Sequence, residues 1–223
     1  KSLITLTAED KKGNAIQLDA DKVLIAVGRR PFTQSLGLDK IGVETDDRGF
    51  IKIDPSFKTN VKNIFAIGDV VGGAQLAHKA SEEGVACVEH IVGQHPHINY
   101  NTVPSVIYTW PEVASVGFTE EQLKADKKEY KKGKFPFKAS GRARAAEESE
   151  GFVKVLSEKN TDEILGVHMI GPRVSDMISS GLIAMEYRAS SEDIGALMHP
   201  HPTYMEALKE AALMATENRA IHI

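Results

Sequence analysis

Cysteine is all but missing from this sequence. Cys87 is its single example, so no disulfide can close within the chain and no multi-cysteine zinc site can be assembled. Long apolar runs are missing too: none approaches the roughly 18–20 residues that cross a bilayer, and no basic-then-apolar leader opens the chain. These absences predict a soluble, intracellular protein with no membrane partner. Nor is there an excess of positive charge. The 27 Lys and Arg stand against 31 Asp and Glu, a formal charge of −4, which lacks the broad positive field of a nucleic-acid binder. What remains is a globular composition, 42% hydrophobic and 26% charged over 223 residues, enough for one or two domains. The chain starts at Lys1 rather than Met and runs straight into a strand-like alternation, as expected of a piece of something longer.

Residues 2–7 and 15–18 alternate polar and apolar around turn chemistry at 10–14, and predict a hairpin. Residues 23–27 are continuously apolar and β-rich, which predicts a strand buried on both faces that ends at Gly28. A loop and a short hairpin are expected around 46–49. A second buried strand is expected over 63–69, stopping at Gly68 and Asp69, and a helix over about 76–92 with Leu76, Ala80, Val88 and Ile91 on its apolar face. Texture changes near residue 98. Beyond it strands are expected at 105–109, 112–118, 152–157 and 164–170, and helices at 120–126, 174–188 and 204–216, the arrangement of an α+β module. Thr119 with Gln122, and Ser190 with Asp193, have capping-box spacing. The run 124–138 holds seven lysines and is expected to be a solvated loop and helix face.

The segment His199-Pro200-His201-Pro202-Thr203 carries the most chemistry. Each proline disfavours the helical conformation for the residue before it, so both histidines are held extended ahead of the helix that follows. Glu206, in the first turn of that helix, can fold back onto His201, hold one tautomer and stabilise the imidazolium, as a general base near neutrality requires. Thr203 and Glu206 also have capping-box spacing, so a purely structural role for Glu206 stands beside the catalytic one. No cluster of Cys or carboxylates is at hand to make the two histidines metal ligands. Asp69, at the end of an apolar strand and before Gly72 and Gly73, stands where open α/β sheets place ligand contacts, or is a turn residue. Gly28 lets a cofactor approach the backbone, or is a plain turn glycine. Cys87 lies in a helical apolar pattern and reads as a packed, inert thiol.

Five stretches, VGRRP at 27–31, IFAIGD at 64–69, LAHKA at 76–80, YTWPEVASVG at 108–117 and HPHPT at 199–203 with Glu206, resemble the C-terminal half of the dihydrolipoamide dehydrogenases. These are class I pyridine nucleotide-disulfide oxidoreductases. The resemblance spans essentially the whole chain in the family's order, whereas glutathione reductases typically lack the 108–117 segment and the first His. It departs from the family at Gln75, where Met is common, and at Pro172-Arg173, where small residues are.

The resemblance implies an α+β interface (dimerisation) domain preceded by the C-terminal part of an α/β FAD/NAD(P)-binding fold. The expected divisions are the end of the NAD-binding domain at 1–27, the returning segment of the FAD-binding domain at 28–98 and the interface domain at 99–223. It implies FAD contacts from Asp69, Gln75, Leu76, Ala77 and His78, an NAD contact at Gly28, and His201 as the acid/base with Glu206 orienting it. The activity implied is oxidation of protein-bound dihydrolipoamide by NAD+ through a redox disulfide and FAD. His201 would serve the other subunit of a homodimer, in the bacterial cytoplasm or mitochondrial matrix. Partners implied are the acyltransferase component of a 2-oxoacid dehydrogenase complex or the glycine cleavage H protein. The family's Gly-x-Gly-x-x-Gly turn and redox Cys pair are not in this sequence. The chain alone is therefore expected to hold no FAD and to be an inactive dimerisation module, and another flavin disulfide reductase is the alternative parent.

Overall fold

The computed structural model describes residues 3–222, and they divide after Pro96 into two compact units. In the first unit β1 (Ile4–Glu9) and β2 (Ala15–Ala20) form an antiparallel hairpin. Asp10 shapes its turn, accepting the N–H groups of Lys12 and Asn14 at 2.7 and 2.9 Å. Ser2, counted in the expected first strand, lies outside the described residues. The turn at 46–49 forms as its sequence predicts: the Asp46 carboxylate accepts from Arg48 and Phe50, beneath a bridge from Thr45 to Ile51.

Residues 23–27 are not a buried strand. Leu24, Ile25 and Val27 are 88, 80 and 92% exposed. A run apolar on both faces becomes a central strand only when neighbours cover both faces and edges, and among the described residues no segment pairs with it. Residues 63–69 fall short for the same reason. Phe65 makes one isolated bridge to Lys58, and Gly68–Val71 is a 3₁₀ turn.

After the single turn α1 (Leu38–Ile41), the expected long helix is α2 (Ala77–Ile91), but with a different inner face. Lys79, Glu83, Ala86 and Cys87 are buried, whereas Val88 and Ile91 are more than half exposed. Polar residues can turn inward there because Lys79 and Glu83, one helical turn apart, pair at 2.8 Å and so avoid the cost of a lone buried charge. Burial pushes the Cys87 thiol pKa up, which keeps it protonated and unreactive.

The second unit is built on a five-stranded antiparallel sheet in the order β3 (Ser105–Ile107), β4 (Glu112–Gly117), β7 (Ile164–Gly171), β6 (Phe152–Glu158), β5 (Tyr130–Pro136). On one face α5 (Val174–Glu186) packs on β4 and β7, and α7 (Glu206–Glu217) packs on β5 and β6. Val153, Val155, Val167 and Met169 of the strands meet Met177, Ile178, Leu208 and Ala211 of these helices in the main core. Leu123 of α3 (Glu120–Ala125) packs with Leu156 and Leu165 in a smaller cluster. The capping boxes of Thr119 with Gln122 and of Ser190 with Asp193 both form, starting α3 and α6 (Ser191–Ala196). α4 (Gly141–Ala145) is a short turn capped by Ser140.

The lysine run 124–138 is not all solvated loop and helix, because its second half is β5. Gly133 and Phe135 face the core while Lys132 and Lys134 stay in solvent. Lys131 meets Asp162 at 3.1 Å and Lys132 meets Glu120 at 3.3 Å. Alternation is present, but glycine and a lysine stem stand on its inner side, so hydropathy does not reveal it.

On β7, His168 has both ring nitrogens buried without a hydrogen-bond partner. Desolvation, helped by the charge of Lys154, pulls its pKa from 6.5 to about 4. The unfolded chain therefore binds this proton more readily than the folded one. His168 contributes stability that is full above pH about 6.5 and is lost as pH falls toward about 4, on the order of 1–3 kcal/mol after allowance for partial solvation. His168→Leu is expected to flatten urea-melt stability between those limits, and an unchanged acid slope would refute the assignment.

Candidate functional site

His201 and Glu206 meet where the proline-spaced loop enters α7. His201 Nδ1 lies 2.8 Å from Glu206 Oε1, while Glu206 Oε2 accepts the Thr203 N–H at 2.8 Å. Thr203 does not cap the helix: its hydroxyl donates to the Pro200 carbonyl, and the cap position is Met205, without a side-chain bond. Glu206 thus makes both contacts, bracing the loop with one oxygen and the imidazole with the other.

The electrostatics suit a proton acceptor. Burial works against ionisation of Glu206, but the Thr203 N–H, the hydrogen bond and charge of His201, and the charge of His222 outweigh it, and the carboxyl pKa falls below its ordinary value. A carboxylate facing Nδ1 fixes the proton there, which leaves the Nε2 lone pair open. The His201 side chain is 72% exposed and that of Glu206 20%, so the imidazole faces outward from a held position.

A second His–carboxylate pair, missed in the sequence, sits one turn further along α7. Glu210 is 3% exposed and accepts His222 Nδ1 at 2.6 Å and the Ile221 N–H at 2.6 Å. Its only sequence signal is the four-residue spacing from Glu206; the partner is twelve residues away and is supplied by folding. His199 lies apart from the dyad, with Nδ1 3.2 Å from the Leu197 carbonyl. It lines an apolar groove of about 680 Å³ with Ile183, Tyr187 and Leu197.

In the first unit, the turn Gly68–Val71 carries Asp69, whose half-exposed carboxylate lies 3.3 Å from Arg29 Nη1. Gly72 and Gly73 follow with φ of 85° and 71°, a conformation that strains other residues. Leu76 is the extended residue before α2, and Ala77 and His78 lie in its first turn, where the helix dipole is positive and no side chain caps it. Gln75 Nε2 is buried with no hydrogen-bond partner. Gly28 has φ 90°, and a Cβ on it would meet nothing within 4 Å, so glycine is there for its backbone conformation and leaves open space above it. An acceptor at Asp69, an idle donor at Gln75 and a helix N-terminus form a donor and acceptor set that fits a polyol-bearing, anionic cofactor such as FAD. Arg29, which the sequence reading passed over, already occupies one side of Asp69.

A family model described as pyridine nucleotide-disulphide oxidoreductase, dimerisation domain, matches residues 103–212, and one described as pyridine nucleotide-disulphide oxidoreductase matches residues 2–84. The chain is 52% identical to the dihydrolipoyl dehydrogenase of Cupriavidus necator, over all of this chain and 47% of that protein. It is 54% identical to the mitochondrial dihydrolipoyl dehydrogenase 1 of Arabidopsis thaliana, over 99% of this chain and 43% of that one. Among solved structures, the HOCl-induced flavoprotein disulfide reductase RclA of Escherichia coli superposes with a TM-score of 0.82 at 26% identity, over 89% of this chain and 46% of RclA. The chain spans about half the length of the relatives it matches.

Proposed function

Because the chain belongs to the pyridine nucleotide-disulphide oxidoreductase family, we propose that it is the C-terminal half of a dihydrolipoamide dehydrogenase whose acid/base is His201. The single observation that carries this reading is the His201–Glu206 contact, 2.8 Å long, with the imidazole exposed and the carboxylate held. A dithiol must lose a proton before its sulfur can attack a disulfide. His201 takes that proton at Nε2, and Glu206 stabilises the charge that results while keeping the ring in place. Asp69 accepts hydroxyl hydrogens from the ribityl side of FAD, and Gln75 to His78 line the flavin. Gly28 leaves room for NAD. FAD, when bound, supplies the two-electron acceptor between the dithiol and NAD+. The redox disulfide belongs to the part of the enzyme outside this chain, whose one cysteine is the buried Cys87.

The match over residues 103–212 to a dimerisation domain supports a homodimer in which His201 serves the partner's disulfide. Relatives from a bacterium and a mitochondrion support cytoplasm or matrix, and among the described residues no helix is long and apolar enough to cross a membrane. The protein partner is a lipoyl carrier, on an acyltransferase or an H protein. The complete enzyme is expected to reduce NAD+ with dihydrolipoamide and to leave glutathione disulfide untouched with NADPH. Preference for glutathione disulfide would replace this reading with that of another flavin disulfide reductase.

A further inference from the structure

We propose that Lys79 and Glu83 are positioning residues for Asp69, a role that rests on reading Asp69 as a flavin contact. The two side chains are 4 and 2% exposed and lie 2.8 Å apart on the inner face of α2. Between them they hold both ends of the turn that carries Asp69. Glu83 Oε2 accepts the Gly68 N–H at 2.7 Å, and Lys79 Nζ donates to the Gly72 carbonyl at 3.0 Å. The turn is also pressed against α2, since a Cβ on Gly68 would sit 3.1 Å from the Ala80 Cβ and Gly68 has φ 74°.

An ion pair is a poor way to gain stability in such a place. Desolvation offsets most of its attraction, and a well-packed apolar pair of similar volume is often as stable or more so. What an apolar pair cannot do is bond the backbone at Gly68 and at Gly72. Those two bonds fix where residues 69–71 sit on the helix, and the Asp69 carboxylate itself meets the exposed Arg29 at 3.3 Å. The pair therefore trades packing for a fixed placement of the turn that carries the Asp69 carboxylate.

The test uses the complete enzyme, stripped of flavin and titrated with FAD by fluorescence, with thermal melting in parallel. Asp69→Ala is expected to weaken FAD binding by about 10- to 100-fold, the value of a charged hydrogen bond. Lys79→Met with Glu83→Leu is expected to weaken it comparably while the melting temperature of the flavin-free protein holds. Adding Asp69→Ala to that double variant is expected to cost little more, because the misplaced carboxylate contributes little already. Full additivity, or normal FAD affinity in the double variant, overturns the proposal. Normal affinity in Asp69→Ala overturns the flavin-contact reading instead. If the double variant does not fold, Glu83→Asp decides: it keeps the charge but falls short of the Gly68 N–H, so weakened FAD binding supports the positioning role and unchanged binding refutes it.

Discussion

His201→Gln is expected to lower dihydrolipoamide turnover of the complete enzyme by about 10²- to 10⁴-fold, the range for a lost general base, with FAD binding unchanged. The Asp69 and Gln75 cluster shares no residue with the dyad, which is why the two readouts separate. Glu206→Gln is the more informative companion. Its amide has one acceptor oxygen where the carboxylate has two, so it can serve His201 or the Thr203 N–H but not both. Losing the negative charge also removes the support for an imidazolium. The acid limb of the pH–rate profile is expected to move to lower pH, with a smaller loss of turnover than in His201→Gln. The double variant should be little worse than His201→Gln, since an orienting group then has nothing to orient. Turnover measured across pH for the three variants checks this. A profile that stays in place in Glu206→Gln reduces that residue to a loop brace, and near-normal turnover in His201→Gln removes the mechanism.

Gly133→Ala is expected to destabilise the second unit by about 3 kcal/mol or more, far beyond the usual effect of one methyl group. A Cβ at Gly133 would lie 1.9 Å from the Ala211 carbonyl oxygen and 2.4 Å from the Ala215 nitrogen, both backbone atoms of α7. No rotamer relieves such a clash, and the helix itself has to lift. α7 brings Ala207, Leu208, Ala211, Ala212 and Ala215 to the core and begins at Glu206, so the damage should reach the dyad as well. Gly141→Ala is the control, because a Cβ there meets nothing within 4 Å. Urea melts followed by circular dichroism distinguish the two. Stability within about 0.5 kcal/mol of wild type for Gly133→Ala would mean that α7 has room to spare at this crossing.

Legibility in the sequence followed range. The capping boxes at Thr119 and Ser190 need only three residues of context, and both are where their spacing put them. The contact between His201 and Glu206 spans five residues and was equally open to reading. Features decided by distant chain were not. β5 looks like a basic loop until α7 lies across Gly133, and α2 hides a Lys and a Glu because a glycine turn supplies their partners. His222 becomes Glu210's partner only once the chain has folded back. Residues 23–27 fail in the opposite direction, since their pattern describes an environment that this chain does not provide.

That exposed run is expected to govern how the chain behaves in a tube. Val23-Leu24-Ile25-Ala26-Val27 is uncharged, proline-free and β-prone, the composition of segments that stack into cross-β aggregates. Lys22 on one side and Arg29-Arg30 on the other are the charged gatekeepers that slow such stacking. At high salt, which screens those charges, the 223-residue chain is expected to precipitate through 23–27 before residues 97–223 unfold, and turbidity followed against salt beside circular dichroism checks this. Its shelf life is then expected to follow ionic strength rather than its melting temperature.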